Sequence, residues 1–196
     1  MSKKVFFLVV VVLTASCYAN AQVSIGVRAG ANLTNLIGDT DGATLKPGFQ
    51  VGAVFNGARN DVFSLETGIL FSQMGTQAKE DGEKLILTLN YLEIPINAKF
   101  RFENFILQAG PYFGYGLRVR GTEKYDGRKE SESASFKDSG FKSTDFGIGA
   151  GVGYRFGPIQ AALNAKISAF SIVDNGSGSA RNFGVALTAT YYFDLF

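Results

Sequence analysis

The clearest regularity in the chain is alternation with a period of two. From residue 183 onward, Phe183, Val185, Leu187, Ala189, Tyr191, Phe193 and Leu195 are apolar. Between them stand Gly184, Ala186, Thr188, Thr190, Tyr192 and Asp194, which are small or polar. Successive side chains of a strand point to opposite faces, so this pattern predicts a strand with one apolar face. Val23, Ile25, Val27, Ala29, Ala31 and Leu33 follow the same rule, as do Phe146, Ile148, Ala150, Val152, Tyr154 and Phe156. Eight such segments are predicted, at about 23–33, 47–57, 62–75, 84–101, 105–119, 143–156, 158–172 and 181–195. Most exceed the roughly five to six residues of a soluble strand and match the nine to eleven that a tilted strand needs to cross a bilayer.

The connections also alternate. Long polar loops, at about 34–46, 76–83, 120–142 and 174–180, take turns with short links at residues 58–61, Glu103-Asn104 and Gly157-Pro158. Outer-membrane barrels sort their connections in this way, with short periplasmic turns and long external loops. Backbone groups in lipid must all be paired, so an antiparallel sheet there has to close. The expected fold is therefore all-β: an eight-stranded antiparallel up-and-down transmembrane β-barrel with an interior filled by side chains.

The first 21 residues read differently. Lys3 and Lys4 precede an apolar run over residues 5–15, and Ala19-Asn20-Ala21 supplies an A-x-A cleavage signal before Gln22. The run is too short for a spanning helix and has the layout of a secretory signal peptide. This divides the chain into residues 1–21, signal peptide, and residues 22–196, barrel. Cys17 follows Thr14-Ala15-Ser16, a loose form of a lipoprotein signal, but the cleaner site at Ala21 removes it. Cleavage also removes two lysines and leaves 17 cations against 17 carboxylates, so no basic excess points to nucleic acid.

Composition narrows the chemistry. The chain has no His and one Cys. That excludes Ser-His-Asp triads, Cys-His dyads, histidine metal sites and a disulfide framework. Gly147, Gly149, Gly151 and Gly153 lie two apart and lack the spacing of a dinucleotide loop. Asp39 and Asp41 before Gly42 give an incomplete calcium loop. No catalysis, cofactor or metal is expected.

A soluble lipocalin-like barrel would show the same alternation with its apolar face inward around a ligand. Three features favour lipid outside. The non-apolar face is rich in Gly, with charges but few amides. Its charges have both signs: Arg28, Glu66, Glu93, Lys99, Arg118, Asp145, Arg155 and Lys166. Aromatic residues gather near strand ends, where interfacial girdles belong. The eight charged residues are expected to form a structural lumen network. Strand height pairs Glu93 with Lys166 or Arg118, and Glu66 with Arg28 or Lys99. Glu66 and Glu93 could also be imagined as a general acid and base, with charge compensation as the simpler role.

Asn90-Tyr91-Leu92-Glu93-Ile94-Pro95-Ile96-Asn97-Ala98-Lys99 resembles the YLEIP strand of small outer-membrane β-barrel proteins of the Bacteroidota, the PorT-like family. Ser64-Leu65-Glu66-Thr67-Gly68 and Ala109-Gly110-Pro111-Tyr112 resemble the strands on either side. The resemblance implies an eight-stranded barrel like OmpX or the OmpA barrel domain, and no activity. One departure is Phe196, which is one residue out of phase with the apolar set ending at Leu195.

Together these features predict an integral protein of a Gram-negative outer membrane, with a structural or surface-interaction role carried by its external loops. The partners expected are outer-membrane lipid, the barrel-assembly machinery during insertion, and a protein or glycan at loop 120–142, with no nucleic acid. The alternatives are an accessory part of an envelope secretion machine and a soluble periplasmic ligand-binding barrel.

Overall fold

The computed structural model describes residues 22–38, 42–58, 60–80, 83–125, 128–174 and 178–194. The signal-peptide residues and the phase of Phe196 lie outside them. Nine strands are seen among the described residues: β1 (Gln22–Gly38), β2 (Lys46–Ala58), β3 (Phe63–Glu80), β4 (Glu83–Phe102), β5 (Phe105–Tyr125), β6 (Arg128–Ala134), β7 (Thr144–Phe156), β8 (Ile159–Ser168) and β9 (Ala180–Asp194).

Eight of them close into a ring. Neighbours pair antiparallel from β1 through β5, then through β7, β8 and β9, and β9 pairs back onto β1 from Ser24↔Asp194 to Gly38↔Ala180. Among the described residues the ninth strand, β6, pairs only with β5. It corrects the expectation of an irregular loop over 120–142. Residues 119–125 carry β5 onward and Arg128–Ala134 returns beside it, from Val119↔Ala134 to Tyr125↔Arg128. Length follows: β4 and β5 have 20 and 21 residues, about twice what a crossing requires. The surplus of β3, β4 and β5, with β6, stands beyond the long-loop end of the wall.

The apolar phase faces outward. Val27, Ile148 and Leu187 are 53%, 63% and 64% exposed, whereas Arg28 and Thr188, their immediate neighbours, are buried. This is the inverse of a water-soluble barrel and is what a lipid-facing wall requires. Aromatic pairs mark both margins of the apolar band. Phe63–Phe100 and Phe105–Tyr154 lie at the short-turn end, with ring centroids 5.2 and 5.1 Å apart. Phe49–Phe71 and Phe113–Phe146, at 5.7 and 4.8 Å, lie nearer the long-loop end.

Two of the short links are two-residue turns. Phe102 pairs with Phe105 across Glu103-Asn104, and Phe156 pairs with Ile159 across Gly157-Pro158. Gly157 takes the positive φ such a turn demands, at 58°, and Glu103 takes one at 54°.

Candidate functional site

The inward phase builds the lumen, and the chain fills it in tiers. Nearest the short turns, Glu66 of β3 is fully buried between two cations. Arg28 Nη2 donates to Glu66 Oε1 at 2.8 Å, and Lys99 Nζ donates to Oε2 at 3.0 Å. Strand height left either partner open, and the barrel brings both together because β1, β3 and β4 converge on a narrow interior. Tyr192 of β9 also donates to Glu66. Lys99 Nζ donates further to Tyr192 Oη at 2.8 Å and Gln160 Oε1 at 2.7 Å, and Arg28 Nε donates to Thr190 Oγ1 at 2.8 Å. Arg155, half-buried, lies over the Tyr192 ring at 5.2 Å and donates to the Gly157 carbonyl oxygen at 2.9 Å.

Higher in the lumen, Lys166 of β8 donates to Glu93 of β4 and reaches Ser72 Oγ at 3.2 Å. Asp145 of β7 is buried without a cation among the described residues. Its Oδ2 accepts from Asn182 Nδ2 at 2.9 Å and from the Tyr112 hydroxyl at 3.2 Å. Glycine makes room for these rings: a Cβ on Gly147 would sit 2.4 Å from the Tyr112 ring.

Arg118 departs from the expected network. It is exposed and pairs with Asn90, whereas Gly116 pairs with Tyr91, so Leu117 is an extra residue in β5. A one-residue bulge moves every following side chain to the other face. Arg118 therefore points outward and Val119 inward, which leaves Glu93 to Lys166 alone. A second correction concerns amides. The inner wall was expected to hold few, yet Asn32, Gln50, Asn56, Gln108, Gln160 and Asn182 are buried on it. Gln160 Nε2 donates to Gln108 Oε1 at 3.3 Å, and Gln108 donates in turn to Asn164. Tyr192, Tyr112 and these amides lie outside the expected network because they carry no charge. Their phase was visible in the sequence.

An apolar plug covers the long-loop end. Leu36, Met74, Leu89, Tyr91, Val119, Phe136, Ile172 and Ala180 form one buried cluster. Phe136 enters from the segment after β6, and its ring centroid lies 5.2 Å from that of Tyr91. It is the sole large apolar residue between Tyr125 and Phe141, which was the available signal. Below the plug, a cavity between the tiers measures about 60 Å³, bordered by Arg28, Glu93, Gln108 and Lys166. This is room for a few waters. Glu66 and Glu93 each face cations across a lumen of this size. Such an arrangement braces the wall. No group of metal-ligating side chains occurs among the described residues.

A closed ring, an apolar exterior and a polar packed interior define an architecture, and the sequence matches it. The family described as "Outer membrane protein beta-barrel domain" matches residues 18–172. The chain belongs to that family. Outer-membrane location follows from membership, and the family is named for a place and an architecture, with no reaction. Two solved structures are similar in fold. Neisserial surface protein A shares 12% identity at a TM-score of 0.50, over 86% of this chain and 97% of that one. Ail, the attachment invasion locus protein of Yersinia pestis, shares 17% identity at a TM-score of 0.50, over 88% and 99%. No match by sequence was found among curated proteins.

Proposed function

We propose that this outer-membrane barrel is a closed wall whose working part is the sheet that β3–β6 carry beyond the bilayer. It would be presented at the cell surface to a protein or glycan, after export through a cleaved signal peptide. One observation carries this reading: the lumen is packed and its mouth plugged by Phe136, while four strands continue past the apolar band. A pore would need the opposite investment. Neisserial surface protein A and Ail, by their names a surface protein and an attachment protein, fit the same reading.

Trypsin treatment of intact cells is the test, paired with conductance in planar bilayers. Cleavage among Arg128, Lys129 and Lys137 on intact cells, with no open-channel steps, is the expected result. Protection of all three until cells are lysed, or a steady large conductance, would overturn the reading. The PorT-like assignment and an accessory role in secretion have the resemblance of residues 90–99 as their support. Loss of export on deletion of the protein would favour that second reading.

A further inference from the structure

The bulge at Leu117 gives the outward face of the β3–β6 extension a composition unlike the rest of the wall. Strand registry arranges it in rows. The first above the apolar band is Gln73↔Asn90↔Arg118. The next is Gly75↔Thr88↔Arg120↔Ser133, and then Gln77↔Ile86↔Thr122↔Ser131. The outermost is Lys79↔Lys84↔Lys124↔Lys129, four lysines directly opposed across four strands. Glu123, Glu130 and Glu132 occupy the alternate phase and so the opposite face. Among the described residues none of these six cations makes an ion pair; the recorded pairs are those of Arg28, Lys99 and Lys166 in the lumen.

Like charges directly opposed in a sheet repel. A face of solvated charges would mix signs, as the opposite face does with Glu123, Glu130, Glu132 and Arg128, but every charge in these rows is positive. The sorting also coincides with depth. Leu92 and Tyr115, paired to one another, close the apolar band, and Arg118 begins the next row. Six residues separate Arg118 from Lys124, about 20 Å along the strand and less in height because strands tilt. The cations thus span the headgroup layer and the zone just outside it. A groove of about 620 Å³ lies on this face, with Phe71 and Leu117 at its apolar end and Arg118, Arg120, Lys124 and Lys129 along its polar part. Asn90 borders it.

We propose that this outward groove binds a phosphorylated glycolipid of the outer leaflet. The acyl chains lie against Phe71 and Leu117. The phosphates sit among Arg118, Arg120, Lys124 and Lys129. This rests on the outer-membrane barrel reading and names a partner for its extended sheet.

The test uses the mature chain folded in phosphatidylcholine nanodiscs doped equally with a bisphosphorylated disaccharide glycolipid and its dephosphorylated form. Lipid retained after mild detergent extraction is counted by mass spectrometry. A basic residue at a membrane surface contributes about fivefold to anion association. Retention of the phosphorylated form is therefore expected to exceed the other by about tenfold or more. The R118Q/R120Q/K124Q/K129Q variant loses that preference and E123Q/E130Q/E132Q keeps it. Equal retention of both lipids, or no change in the first variant, overturns the proposal. So does displacement by millimolar inorganic phosphate, which would make free phosphate the ligand. Gel migration with and without boiling separates the two levels. A variant that keeps its heat-dependent shift but shows no lipid preference sinks this inference alone. Wild-type chain with no shift, soluble without detergent, sinks the barrel reading as well.

Discussion

Phe136 lies so close over Gly116 that a Cβ there would come within 2.5 Å of the ring. The mouth of the barrel is held shut by this contact and by the Tyr91 ring beside it. Phe136→Ala is expected to lower unfolding free energy by about 3–5 kcal/mol, read from urea midpoints in a defined bilayer. Gly116→Val should eject the ring and speed proteolysis of residues 120–142. Unchanged cleavage rates would show that the ring does not latch the segment.

Glu66 is the carboxylate on which two buried cations depend. Removing one member of a buried pair costs about 3–5 kcal/mol because the other is stranded. Glu66→Ala and Glu93→Ala should both fall in that range. Glu132→Ala, on the exposed hairpin, should stay within about 0.5 kcal/mol. Coincident unfolding midpoints for the three variants would refute a lumen held by charge pairing.

The outward apolar wall gives a test of what surrounds it. Leu187→Arg or Ile148→Arg places a charge on the face that is about two-thirds exposed. In a bilayer this costs about 2–4 kcal/mol near the midplane, whereas on a water-facing surface the change would be within about 0.5 kcal/mol. Folding yield into vesicles, followed by the heat-dependent gel shift, separates the two.

At the β4–β5 turn, the exposed Glu103 holds a φ of 54°. That conformation costs an L-residue about 1–2 kcal/mol, part of which glycine returns as unfolded-chain entropy. Glu103→Gly should therefore stabilise the barrel by about 0.5–1 kcal/mol. A destabilised variant would mean that the turn is held by its side chain.

Much of this was legible in the sequence, because a lipid-facing wall writes its two faces into alternate residues. The eight wall strands, the two tight turns and the inward phase of Arg28, Glu66, Glu93, Lys99, Asp145, Arg155 and Lys166 follow from period two alone. The misplacement of Arg118 has a local cause: one unpaired residue, Leu117, inverts the phase, and no composition rule marks where a bulge falls. The β5–β6 hairpin looks like loop in the sequence because its exposed residues are polar on both faces, which erases the alternation that reveals a strand. Phe136 was hidden for the converse reason. A single apolar side chain in a charged segment has no period, and its partners come from β4 and β5, which are distant in the chain.

The pairing of β1 with β9 joins the two described strands farthest apart in the chain. Every earlier neighbour in the ring is linked to the next by the connection that follows it, so partial sheets can grow by local steps. The wall itself cannot exist in part. Until residues 180–194 arrive, β1 and β8 each present a row of open backbone groups, which hydrocarbon does not tolerate. Arrival of β9 and sealing of the wall are thus one event. A truncated product should be discarded outright and should not persist as a weaker barrel.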